Sequence, residues 1–321
     1  MITIAGAGLA GLACAYELLE RGQPVTVYER AEGIGSASAS RYAGGMLAPW
    51  CERESAEAPV VTLGSRAFDW WARITPVHRR GTLVVAPRRD RTELRRFARR
   101  TTAYREVDAA DIARLEPELQ GRFDSGLFFD REAHLDPRRA LRDLAACVTE
   151  RGGVIRLGTP APERVDLDCT GMAAPLPDLR AVRGEMAVLR SPDVRIRRTL
   201  RLLHPRTPLY LVPRGAGIYM LGATMVESDH DGPPTLRALM ELLGAAFALS
   251  PALAEAEVVE IGAGLRPAFP DNLPRLDQRD GTLFLNGLYR HGFLLAPAMA
   301  AAAADQIMEM RHGNPREFRT A

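Results

Sequence analysis

The first thirty residues of the chain combine short apolar runs with one amphipathic segment. Residues 2–5 form an apolar run that predicts a buried strand, and residues 10–21 carry apolar side chains at helical spacing. Gly22 is placed to end this helix. Residues 24–29 alternate in the manner of a second strand. The pattern therefore predicts a β-α-β unit at the N-terminus.

Farther along, amphipathic segments predict helices and short apolar runs predict strands. Residues 180–223 are rich in strand-forming side chains and contain one predicted hairpin around Arg214 and Gly215. The predicted helices cover residues 60–79, 88–105, 137–151, 236–248 and the apolar C-terminal stretch 293–304. The predicted strands cover residues 82–86, 153–157, 209–213, 217–221, 257–262 and 283–286.

The order of these elements predicts the fold class. Mixed helix and strand patterns at both ends enclose a β-rich middle, so we expect an α/β fold, α+β overall. A Rossmann-like nucleotide-binding domain is predicted, with an antiparallel-sheet domain inserted into it. The nucleotide-binding domain is expected to combine residues 1–80, 134–178 and 262–321. The inserted domain is expected to combine residues 81–133 and 179–261.

Composition excludes several classes of chemistry. All 42 basic residues are arginine, because the sequence contains no lysine. A pyridoxal-phosphate Schiff base and a Walker A phosphate loop both need a lysine, so both are excluded. The formal net charge of +2 gives no reason to expect nucleic acid or an anionic membrane as a partner.

Targeting signals and metal motifs are not evident either. The N-terminus lacks the pattern of a signal peptide, and no apolar run approaches the ~20 residues of a membrane span. The four cysteines show no metal-binding spacing and require no disulfide. We therefore expect a cytoplasmic protein without a metal site.

Three glycines stand where the first predicted strand turns into the helix. Gly6 allows the tight turn, Gly8 lets the backbone approach a pyrophosphate, and Gly11 allows the helix to pack closely on the strand. The helix N-terminus adds free N–H groups and a positive dipole. Glu29 ends the second strand, where an acid accepts hydrogen bonds from ribose hydroxyls. This predicts a dinucleotide site without separating FAD from NAD.

Further segments favour FAD over NAD, because they resemble a known family. They are the small-residue loop 35–49 ending in Gly-Met-Leu-Ala-Pro, the Tyr-Leu-Val-Pro-Arg and Gly-Ala-Thr-Met strands at 210–214 and 222–225, the Gly-Leu-Arg-Pro at 264–267, and the loop and helix start at 287–297. Their sequence and order resemble the D-amino-acid oxidase superfamily of FAD enzymes. The loop ending at residue 49 looks most like the glycine oxidases of thiamine biosynthesis.

The resemblance implies a function. FAD would be bound non-covalently, in what would then be an FAD-binding domain with an inserted substrate domain. A small amino acid, glycine first, would be oxidised to an imine and then to a 2-oxo acid and ammonia, with dioxygen giving hydrogen peroxide. The imine would supply thiazole synthesis. The candidate partners are thus the amino acid and dioxygen, with thiazole synthase and a second copy of the chain as further candidates.

The resemblance also assigns site residues. Arg266 is expected to bind the substrate carboxylate, because its planar fork suits bidentate pairing. The residues expected at the substrate are Arg266, Tyr210, Arg290, Met225 and Glu52. The residues expected at FAD are Gly6, Gly8, Gly11, Glu29, Arg30, Ser40, Ala43, Gly44, Gly45, Met46, Thr170, Gly171, Arg290, His291, Gly292, Phe293 and Leu294.

Two features depart from the family pattern, and two absences distinguish the chain from related enzymes. The chain is too short between residues 157 and 168 for the small β-meander that the family carries there. His291 stands where asparagine is common. No cysteine follows Cys169 and no lysine exists, whereas the related sarcosine oxidases use such residues for flavin attachment and oxygen activation. Non-covalent FAD and lysine-free oxygen activation are therefore expected.

Other functions remain open at this point. The first alternative is a sister oxidase or dehydrogenase of the same superfamily that acts on sarcosine, D-amino acids or cyclic amines, with a quinone as one electron acceptor. The second is a catalytically silent FAD-binding subunit of a larger complex. The third is an NAD-dependent dehydrogenase.

Overall fold

The computed structural model describes residues 1–205 and 208–312. Parts of two predicted domain segments, at 206–207 and 313–321, lie outside the described residues. The strands are β1 Ile2–Ala5, β2 Val25–Tyr28, β3 Met46–Leu47, β4 Thr82–Val85, β5 Arg105–Asp108, β6 Ser125–Phe129, β7 Ala133–His134, β8 Val154–Arg156, β9 Leu167–Asp168, β10 Arg180–Arg190, β11 Thr199–Leu202, β12 Leu209–Gly215, β13 Ile218–Gly222, β14 Val226–Glu227, β15 Glu257–Ala268, β16 Arg275–Arg279 and β17 Thr282–Asn286.

Helices of very different length connect these strands. The helices are α1 Leu9–Glu20, α2 Pro49–Glu52, α3 Ala58–Gly64, α4 Ala67–Ala72, α5 Arg91–Arg100, α6 Ala109–Leu115, α7 Pro137–Glu150, α8 Leu236–Leu249 and α9 Gly292–His312. Short 3₁₀ turns occupy Ala39–Tyr42, Arg88–Asp90, Pro117–Leu119, Gly171–Ala173 and Pro251–Glu255. In the described part of the chain, no helix combines the length and hydropathy that crossing a bilayer requires.

The first sheet is a mostly parallel one in the order β16-β17-β9-β1-β2-β8. Strands β17, β9, β1, β2 and β8 run parallel, and β16 adds an antiparallel edge. Helices α1, α7 and α9 pack around a core that includes Ile2, Ile4, Leu12 and Leu144. Parallel sheets require such helical cover on their faces. The predicted Rossmann-like unit is confirmed.

The second sheet is mostly antiparallel, in the order β14-β10-β13-β12-β11-β4-β6-β5, and β15 pairs along the other edge of β10. Only the β11–β4 pairing is parallel among its described strands. Helix α8 packs on one face through Leu242, Ala246 and Leu249. This sheet is built from strands between residues 82 and 129 and between residues 180 and 268, and the mixed α/β fold class is confirmed.

Several predicted elements differ from those observed. The single helix predicted over residues 60–79 is two short helices, α3 and α4, and its last seven residues are not helical. The break follows Gly64, where an added Cβ would lie 2.7 Å from Cγ of Leu294 on α9. Close packing against α9 therefore overrides the local helical pattern. The helix predicted over residues 88–105 is shorter as well. Helix α5 covers Arg91–Arg100, and Arg105 already belongs to β5.

The predicted domain limits stay a prediction. The limit placed at residue 262 falls inside β15, which runs from 257 to 268. The small β-meander of the family is missing here, because residues 157–166, between β8 and β9, contain no strand. The two sheets meet where β10, β12 and β15 approach the loops that follow β1, β2 and β9. The cavity described next lies at that junction.

Candidate active site

A cavity of about 700 Å³ lies between the two sheets. This is within the range of pockets that hold drug-sized ligands and cofactors. It is lined by every residue predicted at the site except Gly11 and Met225. These lining residues are Gly6, Gly8, Glu29, Arg30, Ser40, Ala43, Gly44, Gly45, Met46, Glu52, Thr170, Gly171, Tyr210, Arg266, Arg290, His291, Gly292, Phe293 and Leu294.

The glycine-rich turn is shaped as a phosphate site. Gly6 has φ +95°, and a Cβ there would lie 2.8 Å from the carbonyl oxygen of Cys169. Gly8 is the N-cap of α1, and no side chain caps this helix. Gly11 lies off the cavity because it serves packing, since a Cβ there would lie 1.9 Å from the carbonyl oxygen of Gly6. An uncapped helix N-terminus that opens into a cavity suits a pyrophosphate.

Glu29 supports this turn from the end of β2. Its Oε2 accepts a hydrogen bond from the backbone N–H of Ala7 at 2.9 Å, and its Oε1 accepts one from Ala31 at 3.0 Å. The carboxylate also lines the cavity. The structure thus gives Glu29 a role in fixing the turn, and its contact with a ribose stays a prediction.

The small residues of the loop before β3 leave room for aromatic and backbone neighbours. A Cβ at Gly44 would lie 2.8 Å from Cε2 of Tyr210, so this tyrosine ring covers the loop. Gly45 has φ +74°, and its Cβ would lie 2.2 Å from the carbonyl oxygen of Leu135. Only glycine fits both positions, and the loop lies flat along the cavity wall.

Arg266 reaches the cavity from β15. Its Nη1 donates to the carbonyl oxygen of Thr224 at 3.1 Å, and its guanidinium lies against the backbone of Gly184, where a Cβ would be 2.1 Å from Nη2. Burial lowers the pKa of Arg266, opposed by Tyr210, and Arg290 lowers it further. An arginine remains charged all the same. No carboxylate of residues 1–205 or 208–312 pairs with it, so Arg266 offers a partly buried cation to a ligand.

Glu52 is the centre of a second buried charge cluster. Its side chain is 6 % exposed and accepts a hydrogen bond from Nη2 of Arg290 at 2.5 Å and one from Nη1 of Arg201 at 3.3 Å. Burial alone would raise the pKa of Glu52, but Arg290, Arg201 and His291 lower it to about 2. The carboxylate is therefore ionised at neutral pH and neutralises much of the charge of two arginines.

His291 lies beside this cluster, immediately before α9. Its Nδ1 is 3.5 Å from Oε2 of Glu52 and has no hydrogen-bond partner. Burial lowers the pKa of His291 to about 4; Glu52 opposes this, and neighbouring arginines reinforce it. The imidazole is therefore neutral at pH 7, and its contact with Glu52 is not an ion pair.

Met225 is the one predicted substrate residue that the structure places elsewhere. It is 53 % exposed and does not line the cavity. Its sulfur accepts hydrogen bonds from Nη1 of Arg290 at 3.4 Å and from the hydroxyl of Tyr289 at 3.7 Å. Because it follows the turn after β13, Met225 covers these two side chains from the solvent side instead of forming the pocket wall.

Replacing Glu52 tests the cluster through stability. Glu52→Gln leaves the partly buried Arg290 without a carboxylate and leaves Arg201 only Glu54, 3.7 Å away, so we expect the free energy of unfolding to fall by about 3–5 kcal/mol at pH 7. Because its pKa is lowered from an ordinary 4.5 to about 2, the stabilisation is present above pH 4.5 and is lost as the pH falls towards 2. Urea unfolding at several pH values measures both effects.

The control for Glu52 is an exposed carboxylate with an arginine partner. Asp277 pairs with Arg279 at 2.7 Å, and both side chains are more than a third exposed. Asp277→Asn should leave the urea midpoint nearly unchanged. Equal loss of stability in the two variants would contradict the assignment of Glu52 as the buried counter-ion.

The chain is similar to known proteins over most of its length. A sequence profile of the DAO family, described as FAD dependent oxidoreductase, matches residues 1–306. The chain belongs to the FAD dependent oxidoreductase family. As a member of this family it is an FAD enzyme, which confirms the cofactor, and the choice between FAD and NAD is made.

Three relatives of this FAD dependent oxidoreductase cover nearly all of it. A protein of Rhizobium etli, provisionally assigned as thiamine biosynthesis oxidoreductase ThiO, is 56 % identical over 96 % of each chain. A glycine oxidase of Pseudomonas aeruginosa is 30 % identical over 95 % of this chain and 93 % of its own. A bifunctional protein ThiO/ThiG of Nostoc sp. is 28 % identical over 97 % of this chain and 53 % of its own length.

A solved structure agrees with the fold. The crystal structure of glycine oxidase from Bacillus cereus matches with a TM-score of 0.81 at 20 % identity, covering 96 % of this chain and 94 % of that one. A likeness at this identity establishes the architecture and leaves the substrate open. The expected superfamily resemblance is therefore confirmed at the level of family and fold.

The residues of the cavity fit FAD as a non-covalently bound group. The one cysteine among the described lining residues is Cys169. A hydrogen bond with Cys14 and burial both raise the pKa of the Cys169 thiol well above its usual value. A thiol in that state is a poor nucleophile for attachment to a flavin ring.

We therefore expect all flavin to leave this FAD dependent oxidoreductase on acid precipitation. The purified protein is denatured in acid and centrifuged, and the absorbance of supernatant and pellet is compared. Flavin that stays with the washed polypeptide would contradict non-covalent binding.

Several residues of the site were not predicted from the sequence. Arg201 pairs with Glu52, Gly184 lies under the guanidinium of Arg266, and Asp231 lines the cavity. The detectable signal was a charged residue inside an apolar strand: Arg201 interrupts the leucines of β11, and Gly184 stands between two charged residues in β10. Asp231 gave no signal, because it belongs to a polar connecting segment.

Proposed function

We propose that this enzyme oxidises the C–N bond of a small amino acid and that glycine is its main substrate. The observation that carries the proposal is Arg266, a partly buried cation that lines the cofactor cavity and has no carboxylate partner in the described part of the chain. A buried charge is costly unless it is paired, so such a residue is suited to a ligand that brings a carboxylate.

The residues around Arg266 give the substrate an orientation. Tyr210 lies close enough to Arg266 to raise the pKa of its guanidinium, and the tyrosine ring covers the loop at Gly44. Burial raises the pKa of Tyr210, so its phenol is protonated and can donate to a carboxylate oxygen. Two donors on one carboxylate fix the direction of the α-carbon, and positioning of this kind supplies much of the rate.

The proposed reaction needs little acid–base help from the protein. Bound FAD would supply the hydride acceptor for the α-carbon of the neutral amine. Arg266 and Tyr210 hold the carboxylate, and Glu52 is fully engaged by arginines and so does not act as a base. Overall, glycine, dioxygen and water give glyoxylate, ammonia and hydrogen peroxide through the imine.

Two findings support glycine and its metabolic setting. The relative of Pseudomonas aeruginosa is named a glycine oxidase, and the 56 % identical relative is named for thiamine biosynthesis. The bifunctional ThiO/ThiG protein joins a homologue of this chain to a second protein. We propose that the imine produced here supplies thiazole synthesis and that thiazole synthase is the partner that receives it.

A panel of amines tests the substrate. Glycine, sarcosine and D-alanine should each yield hydrogen peroxide with the FAD-loaded enzyme, with glycine the most efficient by kcat/KM. Bulky L-amino acids should give none above background. Higher kcat/KM for proline or a large D-amino acid would instead favour a sister oxidase, and flavin reduction without peroxide would favour a quinone acceptor.

A further inference from the structure

Strand β10 carries a buried ion pair that is not among the proposed substrate contacts. Arg183 and Glu185 are two positions apart in the strand, so their side chains share one face. The side chains are 4 % and 1 % exposed, and Nη2 of Arg183 is 3.2 Å from Oε1 of Glu185. A pair buried this deeply returns little net stability, so its presence calls for another role.

Arg183 holds a connecting segment next to the cavity. We call residues 223–235, between β13 and α8, the 223–235 segment. Arg183 donates to the carbonyl oxygen of His230 at 2.5 Å and to that of Pro233 at 2.6 Å. Asp231 lies between these two residues and lines the cavity. The guanidinium therefore fixes the part of the segment that forms the cavity wall.

Glu185 holds both ends of the same segment. At the far end, its Oε1 accepts a hydrogen bond from the backbone N–H of Thr235 at 2.9 Å. At the near end, its Oε2 accepts from the hydroxyl of Thr224 at 3.0 Å, and its own N–H donates to that hydroxyl at 2.9 Å. The N–H of Thr224 also donates to the carbonyl oxygen of Glu185 at 3.3 Å. Thr224 is thus tied to Glu185 three times.

Thr224 connects this network to Arg266, the cation that lines the cavity. Its carbonyl oxygen accepts the hydrogen bond from Nη1 of Arg266 at 3.1 Å. The other side of the guanidinium rests on Gly184, the residue between Arg183 and Glu185. Arg266 is therefore held by β10 in two ways, directly at Gly184 and through Thr224.

We propose that Glu185, acting through Thr224, is a positioning residue that orients Arg266 and the 223–235 segment for recognition of the substrate carboxylate. The inference rests on the proposed function, because it assigns the carboxylate to Arg266. Glu185 suits this role as an anion, since every group that faces its carboxylate is a donor. A glutamine would present an N–H₂ group to one of those donors and break that contact.

Three variants test the proposal in the FAD-loaded enzyme. Glu185→Gln and Thr224→Val each remove one link, and Thr224→Ser keeps the hydroxyl. We expect the first two to raise the dissociation constant for glycine, measured by anaerobic flavin reduction, by about 5- to 30-fold. Thr224→Ser should stay within about threefold of the wild type, since it keeps the hydrogen-bonding group. FAD content should be unchanged in all three.

A matched control removes a buried carboxylate elsewhere in the same sheet domain. Glu116 is fully buried and accepts a hydrogen bond from Nε of Arg198 at 2.8 Å, but it does not line the cavity. Glu116→Gln should lower the unfolding midpoint and leave glycine binding as in the wild type. If Glu116→Gln weakens glycine binding as much as Glu185→Gln, the effect is general destabilisation and the proposal is overturned.

A double-variant cycle separates action through Arg266 from an independent effect. In the Arg266→Ala background, Glu185→Gln should cause no further weakening, because the group that it positions is gone. Multiplicative effects of the two changes would overturn the proposal. If Glu185→Gln fails to fold, the Thr224→Val and Thr224→Ser pair decides in the same way.

Acetate provides a probe that does not depend on turnover. Its binding is followed by the change in the flavin absorption spectrum, in the wild type and in Glu185→Gln. Equal dissociation constants in the two proteins would overturn the positioning role alone. A wild type that binds acetate but is not reduced by glycine would overturn the proposed function and leave the acetate comparison as the test of Glu185. A wild type that binds neither would overturn both.

Discussion

Arg266→Ala is expected to weaken glycine binding by roughly 30-fold or more while the bound flavin keeps a nearly normal spectrum. We assign this side chain to the substrate and not to the cofactor, so its loss should remove the substrate contact and leave FAD bound. Losing one partner of a desolvated charge pair costs about 2–5 kcal/mol, and each ~1.4 kcal/mol is tenfold in binding. The rate of flavin reduction should fall too, because the α-carbon is no longer held in attack geometry.

Two further variants make the Arg266 result specific. Arg266→Lys restores the charge without the bidentate fork, so it should recover binding only in part. Arg190→Ala removes an arginine that is 54 % exposed and pairs with Glu257, and it should leave glycine binding unchanged. If reduction by glycine follows the same concentration dependence in wild type and Arg266→Ala, the carboxylate lies elsewhere and the substrate assignment fails.

Gly8→Val is expected to yield a folded protein that does not retain FAD. An added Cβ would lie 3.2 Å from Oγ of Ser38, and the rest of the valine side chain would fill the phosphate end of the cavity. Overpacking costs at least about 1–3 kcal/mol, which is roughly 5- to 150-fold in affinity. The absorbance ratio of flavin to protein after gel filtration measures retention, and circular dichroism checks the fold.

The matched control for Gly8 lies on a distant helix. Gly244 is exposed on α8, and an added Cβ would meet nothing within 4 Å. Gly244→Val should retain FAD as the wild type does. A yellow, fully loaded Gly8→Val protein would contradict the placement of the pyrophosphate at the glycine-rich turn.

Local patterns were sufficient for those parts of the fold where neighbours in sequence are neighbours in space. The β1-α1-β2 unit, α7 and the hairpin of β12 and β13 were predicted to within a few residues. The division of residues 60–79 into α3 and α4 was not predictable, because it depends on a contact between Gly64 and α9, more than two hundred residues away. The full length of β15 likewise depends on its pairing with β10.

The candidate site was likewise predicted only where sequence motifs mark its residues. Motif residues were brought to one cavity as expected, because glycines and arginines in family order mark backbone turns and ligand contacts. Met225 could not be placed from its motif, because its exposed position depends on contacts with Tyr289 and Arg290, which are distant in sequence. Arg183 and Glu185 went unassigned, since their role depends on the path of the 223–235 segment.

The absorption spectrum of the purified protein before and after anaerobic addition of glycine tests the central claim most directly. We expect an oxidised flavin spectrum that bleaches on glycine addition and returns when air is admitted, with hydrogen peroxide formed in proportion. Bulky L-amino acids should leave the spectrum unchanged. A protein that carries FAD and is not bleached by glycine or by any other small amino acid would contradict the account.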